Sequence, residues 1–350
     1  MIYSKVYIDS IGYEIAPVVV SSVEIERRLK DLYAVLHLTE GQLEALTGIA
    51  ERRWWEDGHR LSDGAIAAAG RALEASTVRA DQLDALIYGA VCREYFEPAT
   101  ACRVAAGIGV NPEAAVYDVS NACLGVLNGM VEIANRIEFG QIRAGMVVAC
   151  EASRAINEIV IEQLLQKRSM DFFRLSLATL TGGSGAVAVL LTDGSFAARP
   201  GRKLIGGAWR TAPQFHGLCR WGIEAAHPGD SQEFHQFTAT DSAAVLAHGV
   251  ELGAQTWRAF LNRMDWSAEQ VDKVICHQVG ASHRDTILKL LGIPESKDFP
   301  TYPYLGNMGT VSLPLTAGLA EDRGFLQPGD RVAFLGIGSG LNCMMLGLEW

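Results

Sequence analysis

Apolar positions along this chain fall into two spacings, one strand-like and one helical, with turn residues between them. Leu83 to Val91, Gln141 to Cys150, Ala186 to Leu191, Val271 to Cys276, Arg331 to Leu335 and Asn342 to Leu348 are dense in Val, Ile, Leu and Ala. These runs predict strands, several of them buried on both faces. Ala114 to Asp118 and Lys203 to Thr211 read as extended, and the opening residues Met1 to Ile8 read as a strand rather than a leader. Helical spacing fills the gaps. Ser21-Ser22-Val23-Glu24 has the form of a capping box and predicts a helix to about Leu36. Ser62 opens an alanine-rich helix to about Ala75, and Pro98 suits the first turn of a helix to about Gly107. Ser242 to Asn262 carries Val245, Leu246, Leu252, Trp257, Phe260 and Leu261 on one face. Arg284 to Leu291 is helical, and Ser267-Ala268-Glu269-Gln270 resembles a second capping box. Residues 212–238 hold Trp221, three histidines and several glycines, and predict a long irregular stretch.

The order of elements repeats. Asp81-Gln82-Leu83-Asp84-Ala85-Leu86-Ile87 matches Glu269-Gln270-Val271-Asp272-Lys273-Val274-Ile275, and each leads to a helix ending near a Gly-Ile pair. Asn121-Ala122-Cys123-Leu124 can be laid on Asn307-Met308-Gly309-Thr310. The strands after them, from Ala144 and from Asp330, keep the same offset. Two copies of one α/β unit are expected, with the cysteine loop of the first facing the asparagine loop of the second. The expected division is 1–195 and 196–350.

Composition narrows the class. A chain of 350 residues with 49% hydrophobic content can bury a large core. A net charge of −10 argues against a nucleic-acid partner. It also disfavours an acidic carrier protein unless a local basic patch compensates. No apolar run is long enough for a membrane span. The seven cysteines (92, 102, 123, 150, 219, 276 and 343) are scattered, with no Cys-x-x-Cys pair. That usage suits free thiols in a reducing cytoplasm, and gives neither a disulfide framework nor a zinc site.

The chemistry centres on Asp118-Val119-Ser120-Asn121-Ala122-Cys123-Leu124-Gly125. A β-type stretch ends in a polar turn, and a small-residue helix opens at or near the cysteine and runs to about Arg136. Backbone N–H groups at a helix start favour a thiolate and lower its pKa, which suits nucleophilic catalysis by sulfur. The same pattern suits a buried structural cysteine. Cys276-His277-Gln278 lies at a strand end, where an imidazole can hydrogen-bond a thioester oxygen or pack as a satisfied rim histidine. Asn307, between glycines at 306 and 309, can donate to a developing oxyanion or simply make a turn. Gly336-Ile337-Gly338-Ser339-Gly340-Leu341 lacks the Lys-Ser/Thr of a nucleotide loop. It is better suited to bringing backbone N–H groups to a reacting centre.

Taken in order, Cys123, His277, Asn307 and the glycine-rich tail resemble the thiolase superfamily, in its ketoacyl synthase III branch. Leu46-Thr47-Gly48-Ile49-Ala50-Glu51-Arg52-Arg53 is similar to that branch's Thr-Gly-Ile-x-Glu-Arg-Arg segment, and Gly182-Gly183-Ser184-Gly185-Ala186 to its mid-chain glycine motif. Within the branch the chain resembles OleA-type thiolases, which join two acyl thioesters head to head. That likeness rests on Arg93-Glu94-Tyr95-Phe96-Glu97-Pro98-Ala99-Thr100, on His277-Gln278-Val279 with His283 following, and on Gly336 to Cys343. Val279-Gly280-Ala281-Ser282 departs from ordinary ketoacyl synthase III enzymes, which carry Asn-rich and basic residues there.

The resemblance implies an α/β thiolase fold of duplicated αβαβα halves in five layers. It implies Cys123 as nucleophile, with backbone N–H groups of Cys123 and Gly340 as oxyanion hole. His277 and Asn307 would polarise the donor thioester. Glu97 would take the α-proton in a non-decarboxylative Claisen condensation, reaching the partner subunit's site in a homodimer, with a pKa raised by partial burial. From its position alone Glu97 can also be read as a cap on the helix opened by Pro98, a role that does not exclude the first. No cofactor is implied beyond the coenzyme A or phosphopantetheine that carries the substrate, so the expected partners are acyl-CoA or acyl carrier protein. Related expectations are a ketosynthase joining two β-ketoacyl chains into an α-pyrone, a malonyl-dependent ketoacyl synthase III, and a non-catalytic partner subunit. Residues 151–180 and 212–240 are expected to set acyl-chain length. Leu164, Leu165, Met170, Phe172 and Phe173 either line a tunnel or pack a lid. Arg27, Arg28, Arg52, Arg53 and Arg220 either meet carrier phosphates or stay solvated.

Overall fold

A computed structural model describes residues 1–196, 201–225 and 234–350. In chain order the strands are β1 (Tyr7–Ile15), β2 (Val18–Ser21), β3 (Glu51–Trp54), β4 (Ala85–Tyr88), β5 (Ala115–Asp118), β6 (Ala144–Glu151), β7 (Gly185–Thr192), β8 (Arg202–Thr211), β9 (Cys219–Ala225), β10 (Phe234–Thr240), β11 (Lys273–Cys276), β12 (Arg331–Gly338) and β13 (Asn342–Glu349). The helices are α1 (Ser22–Arg28), α2 (Lys30–Leu36), α3 (Gln42–Thr47), α4 (Leu61–Glu74), α5 (Thr100–Ile108), α6 (Gly125–Glu138), α7 (Arg154–Lys167), α8 (Met170–Leu180), α9 (Ser242–Met264), α10 (Ala281–Leu291), α11 (Tyr302–Leu305) and α12 (Ser312–Asp322).

Nine strands join in the order β11-β12-β13-β8-β1-β7-β6-β4-β5. In the middle of that sheet β1 meets β8 through Tyr7↔Lys203 and Ile8↔Arg202, and the residues before β1 extend the seam through the Ile2↔Gly206 bridge and through Leu204 N, which donates to Val6 O at 3.0 Å. On either side of this seam the pairing is the same. The strands β4–β6 and β11–β12 are parallel, while β6–β7–β1 and β12–β13–β8 are antiparallel. β5 adds a fifth strand on one side. Its counterpart on the other is reduced to one parallel bridge, Val274↔Asp298.

Helices complete the layers. α4 covers β1, β6 and β7, and α5 packs beside it on β4 and β5. α9 covers β8 and β13, with α10 against it. Between the two sheets lie α6 and α12. α6 packs on β4 and β6, and its Leu124 and Leu127 end crowds Gly336 of β12. α12 touches β1 and β7 on one side and β11 and β12 on the other. This is the duplicated five-layered α/β arrangement the sequence led us to expect. Every position of β6 and β7 is buried, which is why both read as unbroken apolar runs.

Several local expectations change. The helix expected from Ser22 to Leu36 breaks at the fully buried Leu29 into α1 and α2, although Ser21 Oγ does accept from Glu24 N at 3.0 Å as a cap. Extended structure near the start is shifted, with β1 beginning at Tyr7. α5 starts at Thr100, after Pro98 rather than on it. Ser267 N donates to Gln270 Oε1 at 2.8 Å, but the motif closes a turn and no helix follows. The stretch 212–238 contains the antiparallel ribbon β9–β10, and its residues 226–233 lie outside the described residues.

Candidate active site

Cys123 follows Ala122, whose φ of 45° puts a non-glycine residue in the left-handed region. Such a backbone costs roughly 1–2 kcal/mol and persists only where its surroundings hold it. Gly89 and Gly125 do part of the holding, because a Cβ on Gly125 would lie 2.2 Å from Gly89 O. Only paired glycines let the end of β4 approach the start of α6 this closely. Side chains fix the rest of the turn. Asn121 Nδ2 donates to Asn128 Oδ1 at 2.7 Å, and Asn342 Nδ2 donates to Asn121 Oδ1 at 3.0 Å.

The second copy supplies the facing loop. Asn307 O accepts from Gly183 N at 2.9 Å, and Asn307 N donates to Thr181 O at 3.0 Å. The loop is thereby tied to the mid-chain glycine motif. Asn307 Oδ1 accepts from Gly309 N at 3.0 Å, which leaves Nδ2 as the amide end free to serve a ligand. Thr310 Oγ1 accepts from Val126 N at 2.8 Å, so the asparagine loop caps the helix that follows the cysteine. The expected meeting of the two loops is present.

Cys123 and Asn307 line one cavity of about 580 Å³ with Cys92, Glu151, Cys219 and Ser339. Gly340 is the neighbour of Ser339, and a Cβ on Gly338 would stand 3.3 Å from Cys123 N. A second cavity of about 300 Å³ adjoins the first through a wall shared at Ala178 and Thr240. Leu46, Leu177, Val245, Leu246 and Val279 make it apolar. His277 is 5% exposed and lines a third space of about 20 Å³ together with His283. His277 N donates to Leu335 O at 3.0 Å, so its backbone is bonded to β12, the strand that leads to Gly338.

The electrostatics correct the sequence reading of Cys123. Burial pushes the thiol from 9.0 up to about 12, with Cys219 and Glu151 adding to the rise. The helix start cannot offset this. α6 begins at Gly125, two residues past the cysteine, and its Val126 N–H is already spent on Thr310. At rest Cys123 is therefore a neutral thiol. Burial and the neighbouring His283 lower His277 from 6.5 to about 3, so its imidazole is neutral at pH 7. Burial likewise takes His283 down to about 4.

Glu97 stands apart from the cavity of its own chain and is exposed, not partly buried as the base role led us to expect. Nor is it the cap of α5. Asp118 holds that place, accepting from Thr100 N at 3.0 Å and Ala101 N at 2.9 Å. Tyr95 and Phe96 beside Glu97 are 60% and 94% exposed. Among the arginines, Arg52 is fully buried, bonded to Val20 O and Ser22 Oγ. Arg28 pairs with Glu158, Arg53 with Glu51, and Arg27 approaches Glu40 at 3.8 Å. Of these five, only Arg220 lines the Cys123 cavity. Leu164 and Phe173 are core residues packed with Tyr33 and Trp54, while Leu165, Met170 and Phe172 sit at that core's edge.

Glu151 escaped the sequence reading. It is 5% exposed, ends β6, and accepts from Val91 N at 2.9 Å and Cys92 N at 3.1 Å. Burial raises its pKa. An acidic residue closing an all-apolar strand was the available signal.

Residues 261–350 match the profile of the 3-oxoacyl-[acyl-carrier-protein] synthase III C-terminal region. An acyl-CoA:acyl-CoA alkyltransferase of Shewanella oneidensis is 57% identical over the full length of both chains. One from Xanthomonas campestris is 32% identical, again over both full lengths. A crystal structure of Xanthomonas campestris OleA with bound lauric acid and lauroyl-CoA superposes with a TM-score of 0.90 at 32% identity, covering 99% of this chain and 100% of that one. Full-length identity, the duplicated fold and the paired loops agree, and the chain belongs to the acyl-CoA:acyl-CoA alkyltransferase family of thiolase-fold condensing enzymes.

Proposed function

We propose that this protein joins two acyl-CoA thioesters in a non-decarboxylative Claisen condensation. The observation that carries the reading is the placement of Cys123 and Asn307 on one cavity that adjoins a second apolar cavity. Two acyl chains need two spaces that meet at one sulfur.

Cys123 Sγ attacks the first thioester carbonyl. The bond to coenzyme A sulfur breaks, and the thiol proton leaves with coenzyme A. Backbone N–H groups of Cys123 and Gly340 stabilise the oxyanion. The second acyl-CoA then gives up an α-proton to Glu97, and its enolate oxygen is held by Asn307 and His277. Its α-carbon attacks the acyl-enzyme carbonyl, the carbon–sulfur bond to Cys123 breaks, and the thiolate recovers the proton that Glu97 had taken, which returns both groups to their starting state. The product is a β-ketoacyl-CoA. Glu97 acts across a homodimer, which accounts for an exposed carboxylate flanked by exposed Tyr95 and Phe96. The enzyme works in the cytoplasm, where its seven cysteines stay reduced.

Incubation with decanoyl-CoA alone tests the reading. A β-keto product without malonyl-CoA supports it, and hydrolysis alone or a strict malonyl requirement overturns it.

A further inference from the structure

β6 runs on past the end of β4, its parallel neighbour. Gly89 N still donates to Val148 O, at 2.8 Å, and beyond it the chain crosses to α5 through residues 90–99 without strand or helix. A side chain meets the N–H groups that come next. Glu151, the last residue of β6, accepts from Val91 N through Oε1 at 2.9 Å and from Cys92 N through Oε2 at 3.1 Å. Tyr88 Oη donates to Cys92 O at 2.9 Å. Glu94 accepts from Ser62 N of α4 at 3.1 Å, and Asp118 takes the far end at Thr100 and Ala101. Between these anchors Tyr95, Phe96 and Glu97 stand exposed. The Glu151 carboxylate itself is buried against the Cys123 cavity, and a Cβ on Gly309 of the asparagine loop would lie 3.4 Å from it.

We infer that Glu151 is a positioning residue for Glu97: by holding Val91 and Cys92 it fixes the root of the segment that carries the base to the partner subunit. The inference rests on the proposed function across a homodimer, and adds what holds the base in place. Both oxygens of Glu151 are engaged by backbone N–H groups, which is the use of an anchor and not of a base that takes the α-proton itself. Charge-assisted bonds of this kind are stronger than neutral ones, and here they stand where strand pairing has stopped. Their loss lets the segment shift, and a displacement of about 1 Å at a reacting group can cost about 10²-fold. Glu151 therefore borders the cavity of its own Cys123 but serves the cysteine of the partner subunit.

The test measures β-keto product from decanoyl-CoA in dimers mixed from two differently tagged subunits. Glu151→Gln keeps the side-chain volume but turns a donor toward one of the two N–H groups, and its homodimer should lose about 10- to 100-fold in kcat. A Cys123→Ala subunit paired with a Glu151→Gln subunit holds one reactive sulfur, served by a correctly held Glu97. That dimer should run at about half the wild-type rate, one site in two being complete. A wild-type subunit paired with a Cys123→Ala, Glu151→Gln subunit also holds one sulfur, but the loosened segment serves it. That dimer should stay as slow, per sulfur, as the Glu151→Gln homodimer. The reverse order would place the role of Glu151 in its own cavity, and equal loss in both pairings would make it merely structural. Either result overturns the inference, as does a Glu151→Gln homodimer as fast as the wild type. Glu97→Gln, put through the same pairings in place of Glu151→Gln, is the control. If it follows the expected order and Glu151→Gln does not, this inference falls alone. If Glu97→Gln fails to follow it, the reading of a base shared across the dimer falls and takes the inference with it. Should Glu151→Gln give no folded dimer, Glu151→Asp, which keeps the charge and shortens the reach, goes through the same two pairings.

Discussion

Alkylation of Cys123 measures directly whether burial or the helix start governs its thiol. The structure lifts the group from 9.0 to about 12. A rise of that size leaves about a thousandfold fewer thiolates at neutral pH. The more basic sulfur is intrinsically the better nucleophile, by roughly 15- to 30-fold at a Brønsted slope of 0.4–0.5. The net expectation is iodoacetamide capture about fifty-fold slower than for an unshifted thiol of equal access. Cys102 is exposed and provides an internal reference in the same molecule. Peptide mapping after timed alkylation should find Cys102 labelled well before Cys123 at pH 7. The Cys123 rate should climb almost tenfold per pH unit, without a plateau, from about pH 8 to about pH 11. Glu151→Gln removes a carboxylate that raises the thiol, and should speed capture at every pH. A plateau below about pH 9, or Cys123 outrunning Cys102 at pH 7, would refute the dominance of burial and restore the helix start as the controlling feature.

Glu97→Gln should leave Cys123 acylation by acyl-CoA intact in a mass measurement, yet slow condensation by about 10²–10⁴-fold, the usual loss on removing a general base. Asp118→Ala strips the start of α5 of its cap and should cost about 1–2 kcal/mol in urea unfolding. Because α5 follows directly on the Glu97 loop, condensation should fall more than acylation. Acid should weaken the fold through His277. Its folded pKa of about 3 lies below the unfolded 6.5, so the unfolded chain alone gains a proton between those values and stability drops as pH falls through them. Urea unfolding at pH 5 against pH 7 should show a loss of about 2 kcal/mol from this one side chain, which His277→Asn should remove.

The framework was readable because strands covered on both faces need unbroken apolar runs, and β6 and β7 satisfy that at every position. The duplicated loops were readable because the Asn-x-Cys and Gly-Asn turns demand small residues at fixed places. α12 was not readable. Ser312 to Ala320 are all buried between two sheets, so no polar face exists to give a period, and Pro314 in its first turn hides it further. The ribbon β9–β10 was missed because exposed and half-buried residues mix on both of its faces, which blurs the alternation. The cap of α5 was misassigned because Asp118, its true acceptor, comes from the neighbouring strand β5. The thiol's direction of shift was also out of reach. A sequence shows where a helix starts, but not that Thr310, from the other half, has taken the Val126 N–H.

That last bond bears on how the site forms at all. Thr310 Oγ1 satisfies the start of the cysteine helix, and Asn342 Nδ2 satisfies Asn121 in the cysteine turn. Both donations cross from one copy of the α/β unit to the other. Gly183, in turn, donates from the first copy to Asn307 in the second. Each loop is thus incomplete until the opposite copy has docked. The left-handed Ala122 would have little to hold it in an isolated first half. Assembly of the catalytic cavity and closure of the central helix layer are therefore one event. A substitution where α6 and α12 both pack on the turn Gly309–Val311 should weaken activity and stability together, while the outer helices α5 and α10 leave more room for change.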